Sequence, residues 1–335
     1  MRKKINIFLL FFTFILCLSF VNASASDNLL EVHFIDVGQG DSILIRSDDE
    51  AMLIDAGEND KGRVVVEYLR QQGINELKYL IGTHPHSDHI GGLDTVLKNI
   101  KVDNVIMPNA TNSTRTFEEV LDAIEDNDLE ITLPEVGDTY KIGLADFIIL
   151  SPNSETYKNL NNYSVGIKLI YGNTAFVMCG DAEEEAEKEI VNNGIDLKAN
   201  VLKLGHHGSR TSSSLEFFNA VDPEICIVSC GLDNSYGHPH QETLKKIVGK
   251  TVYRTDEEGS IILLSDGVNI SKNDEVIDTS NATETTKASE ELVYKTKTGT
   301  KYHRDSCTML SNSKIELTKK EAIAQGLEPC KVCNP

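Results

Sequence analysis

The sequence predicts an α/β protein of two sheets covered by helices, an α/β sandwich, followed by a small separate C-terminal unit. Three observations predict it. Between residue 29 and about residue 265, short apolar runs of strand length alternate with segments of helical spacing. Seven of the nine histidines fall in three groups, at 84/86/89, 206/207 and 238/240, each after a predicted strand. Loops at strand ends are where α/β sheets build their sites. Composition then changes twice: residues 271–292 are rich in Thr, Ser, Asn, Asp and Glu, and residues 293–335 are basic with three patterned cysteines.

Taken in order, the 335 residues suffice for one large domain or two smaller ones. Arg2, Lys3 and Lys4 precede an apolar run over 5–21 and then Ala23-Ser24-Ala25. A basic start, an apolar stretch and a small-x-small site predict a secretory signal peptide over 1–25, with an uncleaved membrane anchor as the alternative. Cys17 follows Ile15 and Leu16 rather than small residues, which argues against a lipoprotein site. No other stretch is apolar for long enough to span a bilayer. Residues 31–37 predict a strand running into the turn Gly38-Gln39-Gly40-Asp41, and 42–46 with 51–54 predict a hairpin. Residues 64–69 have helical spacing, ended near Gly73. The apolar run Tyr79-Leu80-Ile81 predicts a buried strand feeding the cluster Thr83-His84-Pro85-His86-Ser87-Asp88-His89. Helices follow over 93–100 and 117–124, and strands over 105–107, 147–150, 165–171 and 175–179. Residues 183–191 predict a helix with an acidic start, which suits the positive end of its dipole. A strand over 201–204, a helix holding Phe217 and Phe218, and strands at 225–230, 252–253 and 261–264 complete the body. His33 is a strand residue with no special role, and Cys226 and Cys230 are core thiols on one strand face.

The formal charge is −20, and without residues 1–25 it becomes −23. The last 43 residues hold eight Lys or Arg against four acids, so they carry +4 and residues 26–292 carry −27. That balance argues against capture of nucleic acid or anionic membrane by the whole surface, and for a well-repelled extracellular protein.

The chemistry lies in the His groups and in Asp55, Asp88 and Asp181, which stand at or near strand ends. Imidazoles offer neutral nitrogen donors suited to zinc, and a carboxylate has lone pairs enough to bridge two ions. Two ions sharing a water lower its pKa towards neutrality. Asp181 is the natural bridge, because Gly180 beside it lets backbone approach closely.

His84-x-His86-x-Asp88-His89, with the Asp55 turn before it and Gly180-Asp181 after it, resembles the metallo-β-lactamase-fold hydrolases. Asp36-Val37-Gly38-Gln39-Gly40-Asp41, Gly205-His206-His207-Gly208-Ser209 and Tyr236-Gly237-His238-Pro239-His240 narrow the likeness. They resemble the hydrolase domain of the ComEC family of DNA-uptake competence proteins, over roughly 29–265. The resemblance implies an αββα sandwich over 26–270 with its site at one edge of the two sheets. It implies that His84 and His86 hold a first metal, Asp88 and His89 a second, and that Asp181 lies between them. One of His206 and His207 completes the second site, with His206 favoured, and Asp55 orients the loop from behind. The family's third histidine for the first metal has no counterpart, because no histidine occurs from 90 to 205. Asn161-Asn162-Tyr163-Ser164 stands in its place, so water, Asn162 or Ser164 completes that site, or manganese occupies it. Beside Asp88, His238 and His240 either contact phosphate or protonate a leaving group, or else serve structure.

In the tail, Tyr302-His303-x-x-x-Cys307 and Cys330-Lys331-Val332-Cys333 form a Cys3His set. It resembles the small metal-binding module of the Ada DNA-repair protein, which implies structural zinc on His303, Cys307, Cys330 and Cys333. A Cys330–Cys333 redox pair or disulfide is the alternative outside the cell. A unit of roughly forty residues hardly folds without such a staple. Its basic charge makes it a candidate anchor for nucleic acid or cell wall. The whole reads as a secreted hydrolase that cleaves phosphodiesters of DNA or RNA with a metal-bound hydroxide, using Zn2+ or Mn2+. The alternatives are a hydrolase of small esters, lactones, β-lactams or choline-phosphate esters, or a non-catalytic surface binding protein.

Overall fold

Alternate side chains of a strand point to opposite faces, and in this chain both faces are apolar. Leu30, Val32, Phe34, Ile43, Ile45, Met52 and Ile54 turn one way, while Leu44, Leu53 and Leu80 turn the other. A sheet apolar on both faces has to be covered on both. The computed structural model describes residues 29–273, 292–297, 299–304, 307, 310, 314–331 and 333. The expected signal peptide, and residues 274–291 of the linker expected over 271–292, lie outside the described residues.

The first sheet has eight strands, in the order Ile270–Asn273, Ile261–Ser265, Leu30–Phe34, Ile43–Ser47, Glu50–Ile54, Tyr79–Ile81, Val105–Ile106, Ile131–Thr132. Pairing is antiparallel up to Glu50–Ile54 and parallel beyond it. The second sheet has seven: Thr251–Arg254, Ile225–Val228, Val201–Lys203, Thr174–Met178, Gly166–Tyr171, Ala145–Ser151, Thr139–Ile142. Its first four are parallel and the rest antiparallel.

The sheets meet face to face through Val32, Phe34, Ile45 and Met52 on one side and Phe147, Ile167, Leu169 and Phe176 on the other. Outside the first sheet lie the helices Gly62–Gln71, Leu93–Asn99 and Arg115–Asp126, packed through Val65, Leu69, Val96, Phe117 and Val120. Outside the second lie Glu184–Asn192 and Leu215–Val221, packed through Ala186, Ile190, Phe217 and Phe218. The result is four layers, αββα, held by side chains each worth about 1.5–3 kcal/mol on burial. His33 is structural: its Nδ1 lies 2.9 Å from the Tyr68 hydroxyl and its Nε2 3.1 Å from Glu31.

Several short elements were not expected from the sequence, among them two edge strands and a helix. Thr139–Ile142 is an edge strand in which Ile142 alone is buried, so it lacks an apolar run. Ile270–Asn273 takes three residues expected in the linker, because a turn at Asp266 returns the polar chain to pair with Ile261–Ser265. Gln241–Lys246 is a short helix in which Thr243 alone is fully buried. In the tail, Ile315–Thr318, Leu292–Lys295, Lys301–His303 and Glu328–Pro329 form a four-stranded sheet over Val293, Tyr302, Leu317 and Ala322.

Candidate metal centre

Parallel strands end together, and here their ends converge on one place. Asp55 follows Glu50–Ile54, Thr83 follows Tyr79–Ile81, Asp181 follows Thr174–Met178, and the 206/207 pair follows Val201–Lys203. Asp55 is fully buried and left-handed (φ 58°). Thr83 donates to its carboxylate from the backbone N–H (2.8 Å) and from the hydroxyl (2.7 Å), and His89 Nδ1 donates to it at 2.7 Å. A carboxylate behind an imidazole fixes its tautomer, so the His89 Nε2 lone pair faces forward.

What it faces is Asp181 Oδ1 at 3.2 Å and Asp88 Oδ2 at 4.0 Å. His207 Nε2 meets Asp88 Oδ2 at 3.3 Å and Asp181 Oδ2 at 3.5 Å, while its Nδ1 donates to the Ser229 carbonyl at 3.0 Å. One ligand atom from each of Asp88, His89, Asp181 and His207 lies within 4.8 Å of all the others. His89 Nε2, His207 Nε2 and Asp181 Oδ1 are buried and have no hydrogen-bond partner. Buried polar atoms are nearly always satisfied. Three that converge without partners fit a divalent cation, and two nitrogens with two carboxylates are a donor set that zinc or manganese accepts.

The electrostatics agree. Burial pushes the His89 pKa down, yet the carboxylates of Asp181, Asp55 and Asp88 outweigh it and hold it well above its ordinary value. Burial also opposes the charge on His207, and Asp181, Asp41 and Asp88 still raise it to about 9. Burial raises Asp88 and Asp181, but imidazoles more than reverse it: His89 and His207 draw both carboxyls below the usual range. The pocket therefore attracts positive charge, and a metal entering it displaces protons.

The other expected ligands divide. His84 and His86 stand side by side, His84 Nε2 3.0 Å from His86 Nδ1, but no third His, Cys, Asp or Glu among the described residues closes round both within the same radius. Asn162 does not complete that pair. Its Oδ1 accepts the Glu183 N–H and its amide donates to Glu185, both at 2.9 Å, so it is spent on the start of a helix. Ser164 is closer to the expected place, with its Oγ 3.3 Å from His84 Nδ1 and accepting the Asp181 N–H at 3.0 Å. Of the 206/207 pair, His207 rather than the favoured His206 joins the cluster. Both 206 and 207 are left-handed (φ 50° and 55°), and that turn buries the His207 side chain to 1% exposure while His206 keeps 24%. His206 Nε2 lies 3.6 Å from Asp181 Oδ2, and its Nδ1 faces Glu183 at 3.3 Å.

A cleft of about 330 Å³ opens over the cluster, lined by Gln39, Glu58, His86, Ser87, Asp88, Asn112, Thr114, Asn161, Asp181, His206, His207, Tyr236 and His238. His238 is nearly buried, its Nδ1 has no partner, and its ring stacks on Tyr236 with centroids 5.6 Å apart. Burial, then the neighbouring imidazoles, lower its pKa to about 4. His240 is outside the lining, and its Nδ1 accepts the Arg210 N–H at 3.0 Å. Sequence reasoning quoted Asn161 and Tyr236 within motifs but gave them no role; both line the cleft, and the buried Asn161 Oδ1 has no partner. It also assigned no role to Asp41 or Lys203, a buried ion pair behind the cluster with Nζ and Oδ2 2.5 Å apart. Asp41 belongs to the quoted Gly-rich turn, and Gly40 beside it was the available signal. In the tail, His303, Cys307, Cys330 and Cys333 do converge, with ligand atoms within 4.8 Å of one another, and no disulfide joins them.

The model of the metallo-β-lactamase superfamily matches residues 35–231. The chain is similar to ComE operon protein 3 of Bacillus subtilis, 34% identical over 251 residues, covering 69% of this chain and 32% of that one. It is similar to Recombination protein 2 of Haemophilus influenzae, 31% identical over 252 residues, covering 74% and 29%. Competence protein ComA of Neisseria gonorrhoeae is 30% identical over 242 residues, covering 70% and 32%. The chain thus matches about a third of the length of each of these curated relatives. Among solved structures, the metallo-β-lactamase fold protein YhfI of Bacillus subtilis superposes with a TM-score of 0.50 at 12% identity, covering 71% of this chain and all of that one. That likeness concerns the fold.

Proposed function

The chain belongs to the metallo-β-lactamase superfamily, and from that premise we propose that it is a secreted metal-dependent hydrolase that cleaves phosphodiesters of DNA or RNA. The observation that carries the reading is the convergence of Asp88, His89, Asp181 and His207, three of them with a buried ligand atom that has no other partner. A divalent cation there supplies Lewis acidity and an activated water at neutral pH. Similarity to competence and recombination proteins supports a nucleic-acid phosphodiester over other esters.

The chain's own residues do the rest. His89 and His207 are held with Nε2 forward by Asp55 and by the Ser229 carbonyl. Asp88 lines the cleft and joins the cluster, so it spans ligand set and substrate space. His238 has an unpartnered Nδ1, and in this reading it hydrogen-bonds the phosphate. Tyr236, stacked on it and exposed, offers a face to a planar group. No lysine or arginine among the described residues lines the cleft, so in this reading phosphate charge falls on the metal and the imidazoles. The pair His84 and His86 makes a weaker second site.

In this reading the signal peptide over 1–25 directs export, and residues 271–292 link the body to the tail. No helix among the described residues is long and apolar enough to cross a membrane. The tail is a zinc-stapled module whose +4 charge offers a contact to nucleic acid or cell wall, away from a body of −27. The test is cleavage of single- and double-stranded DNA and RNA by the purified protein with added Zn2+ or Mn2+. Nitrocefin, a lactone and a choline-phosphate ester serve as the competing substrates. Metal-dependent nucleic-acid cleavage that Asp88→Ala abolishes supports the reading. Lactam or lactone turnover without nuclease activity sinks it, as does cleavage that survives Asp88→Ala.

A further inference from the structure

Lys203 ends the strand Val201–Lys203 of the second sheet, and Asp41 follows the Gly-rich turn after Leu30–Phe34 in the first. Their side chains meet behind the cluster, 2.5 Å apart, at 0% and 1% exposure. A buried ion pair tends at best to break even against apolar residues of the same volume, so stability alone does not account for it. Its surroundings suggest another account. Asp41 Oδ1 lies 3.5 Å from His207 Nδ1, and Asp41 Oδ2 lies 3.9 Å from His89 Nδ1. These are the two imidazoles whose opposite nitrogens face Asp88 and Asp181. Each Nδ1–H already has a hydrogen-bond acceptor, Asp55 for His89 and the Ser229 carbonyl for His207. Among the described residues, Asp41 is the carboxylate that lies within 4.0 Å of Nδ1 of both rings. Apart from Lys203, neither of its oxygens has a hydrogen-bond partner.

We propose that Asp41 and Lys203 are positioning residues for the metal centre: Asp41 holds both imidazoles with Nδ1–H backward and Nε2 forward, and Lys203 neutralises and anchors Asp41. The inference rests on the reading that Asp88, His89, Asp181 and His207 hold a divalent cation. Asp41, Asp55 and His89 form a second group with metal-ligating geometry, directly behind the first. The Lys203 ammonium is already bonded to Asp41 there and to the Leu204 carbonyl at 3.3 Å. It therefore serves as a tethered cation on the back of His89 and leaves the front for the metal. The pair also ties one sheet to the other at the site, so the ligands from both halves are in register before a metal arrives.

The experiment uses the full chain stripped of metal and titrated with Zn2+ against a chromophoric chelator. Lys203→Met is expected to weaken zinc binding by about ten- to a hundredfold, the range for a residue orienting a metal ligand. The double variant Asp41→Asn/Lys203→Met leaves no lone buried charge. It is expected to keep the wild-type circular dichroism and to show the same loss of affinity. A folded double variant with wild-type affinity overturns the proposal. Wild-type protein that binds zinc through the tail ligands alone, so that Cys330→Ser abolishes all binding, overturns the metal reading beneath it instead. Should neither variant fold, long-range 1H–15N spectra of the zinc-loaded wild type decide. Protons on Nδ1 of both His89 and His207 are expected, and metal on Nδ1 of either ring overturns the proposal.

Discussion

His206 and His207 are neighbours with the same side chain and different surroundings. One left-handed turn puts His207 among carboxylates and leaves His206 at the cleft wall. His207→Ala is therefore expected to lose one bound metal per chain, and His206→Ala to retain it, as read by elemental analysis after gel filtration. Asp55 lies behind His89 and receives three hydrogen bonds from Thr83 and His89. Asp55→Asn keeps the shape and weakens the charge behind His89. We expect a ten- to hundredfold loss of zinc affinity by chelator competition, with at most about 1–3 kcal/mol lost in stability. The spacing His84-x-His86-x-Asp88-His89 made these ligand types legible in the sequence. The choice between 206 and 207 was not, because a backbone φ decides it and adjacent identical residues carry no trace of φ.

Turns and helix ends hold the site in place. Gly40 has φ 139°, and a Cβ there would lie 2.3 Å from the Asp88 carbonyl oxygen. Gly40→Ala is expected to cost about 1–3 kcal/mol, read as a lower melting temperature, and to displace Asp88 from the cluster. In the helix Glu184–Asn192, Glu187 is buried and accepts the N–H groups of Ser213 (2.5 Å) and Ser214 (2.7 Å). Burial raises its pKa to about 7, against the pull of those donors. In the unfolded chain it titrates near the ordinary glutamate value of roughly 4.3. Between these values the folded state binds the proton and the unfolded state does not. Its contribution to stability is thus full at low pH and is lost as pH rises to about 7, by roughly 3 kcal/mol. Glu187→Gln should flatten that part of the stability profile in pH-dependent melts; an unchanged slope would refute the assignment. Elements with long apolar runs, such as 165–171, were visible from sequence, whereas Thr139–Ile142 and Ile270–Asn273 were not. Those edge strands gain their conformation from a neighbour's backbone, to which composition is blind.

At the scale of the molecule, charge separates a strongly acidic body from a basic tail. The tail's own apolar cluster comprises Val293, Tyr302, Leu317 and Ala322, with Leu327 packed against them. So small a core needs a staple. Cys330→Ser is expected to release one zinc per chain and to remove amide protection across Lys301–His303. Activity on a short oligonucleotide should be retained, because the tail ligands and the cleft lining share no residue. Loss of both together would show that the two metal sites depend on each other.

The αββα layering was decided locally: alternating apolar runs specify which faces must be covered, and burial of those faces leaves few arrangements. The donor chemistry was equally local, since His, Asp and Cys announce themselves at strand ends and in Cys-x-x-Cys spacing. Tertiary structure alone decided that His207 joins Asp88, His89 and Asp181, and that Asn162 turns away from His84 and His86. It alone brought Lys203 to Asp41 across 162 positions of chain. The reason is physical. Distances between residues far apart in sequence depend on how two sheets twist and pack, and that is a property of the whole core rather than of any segment in it.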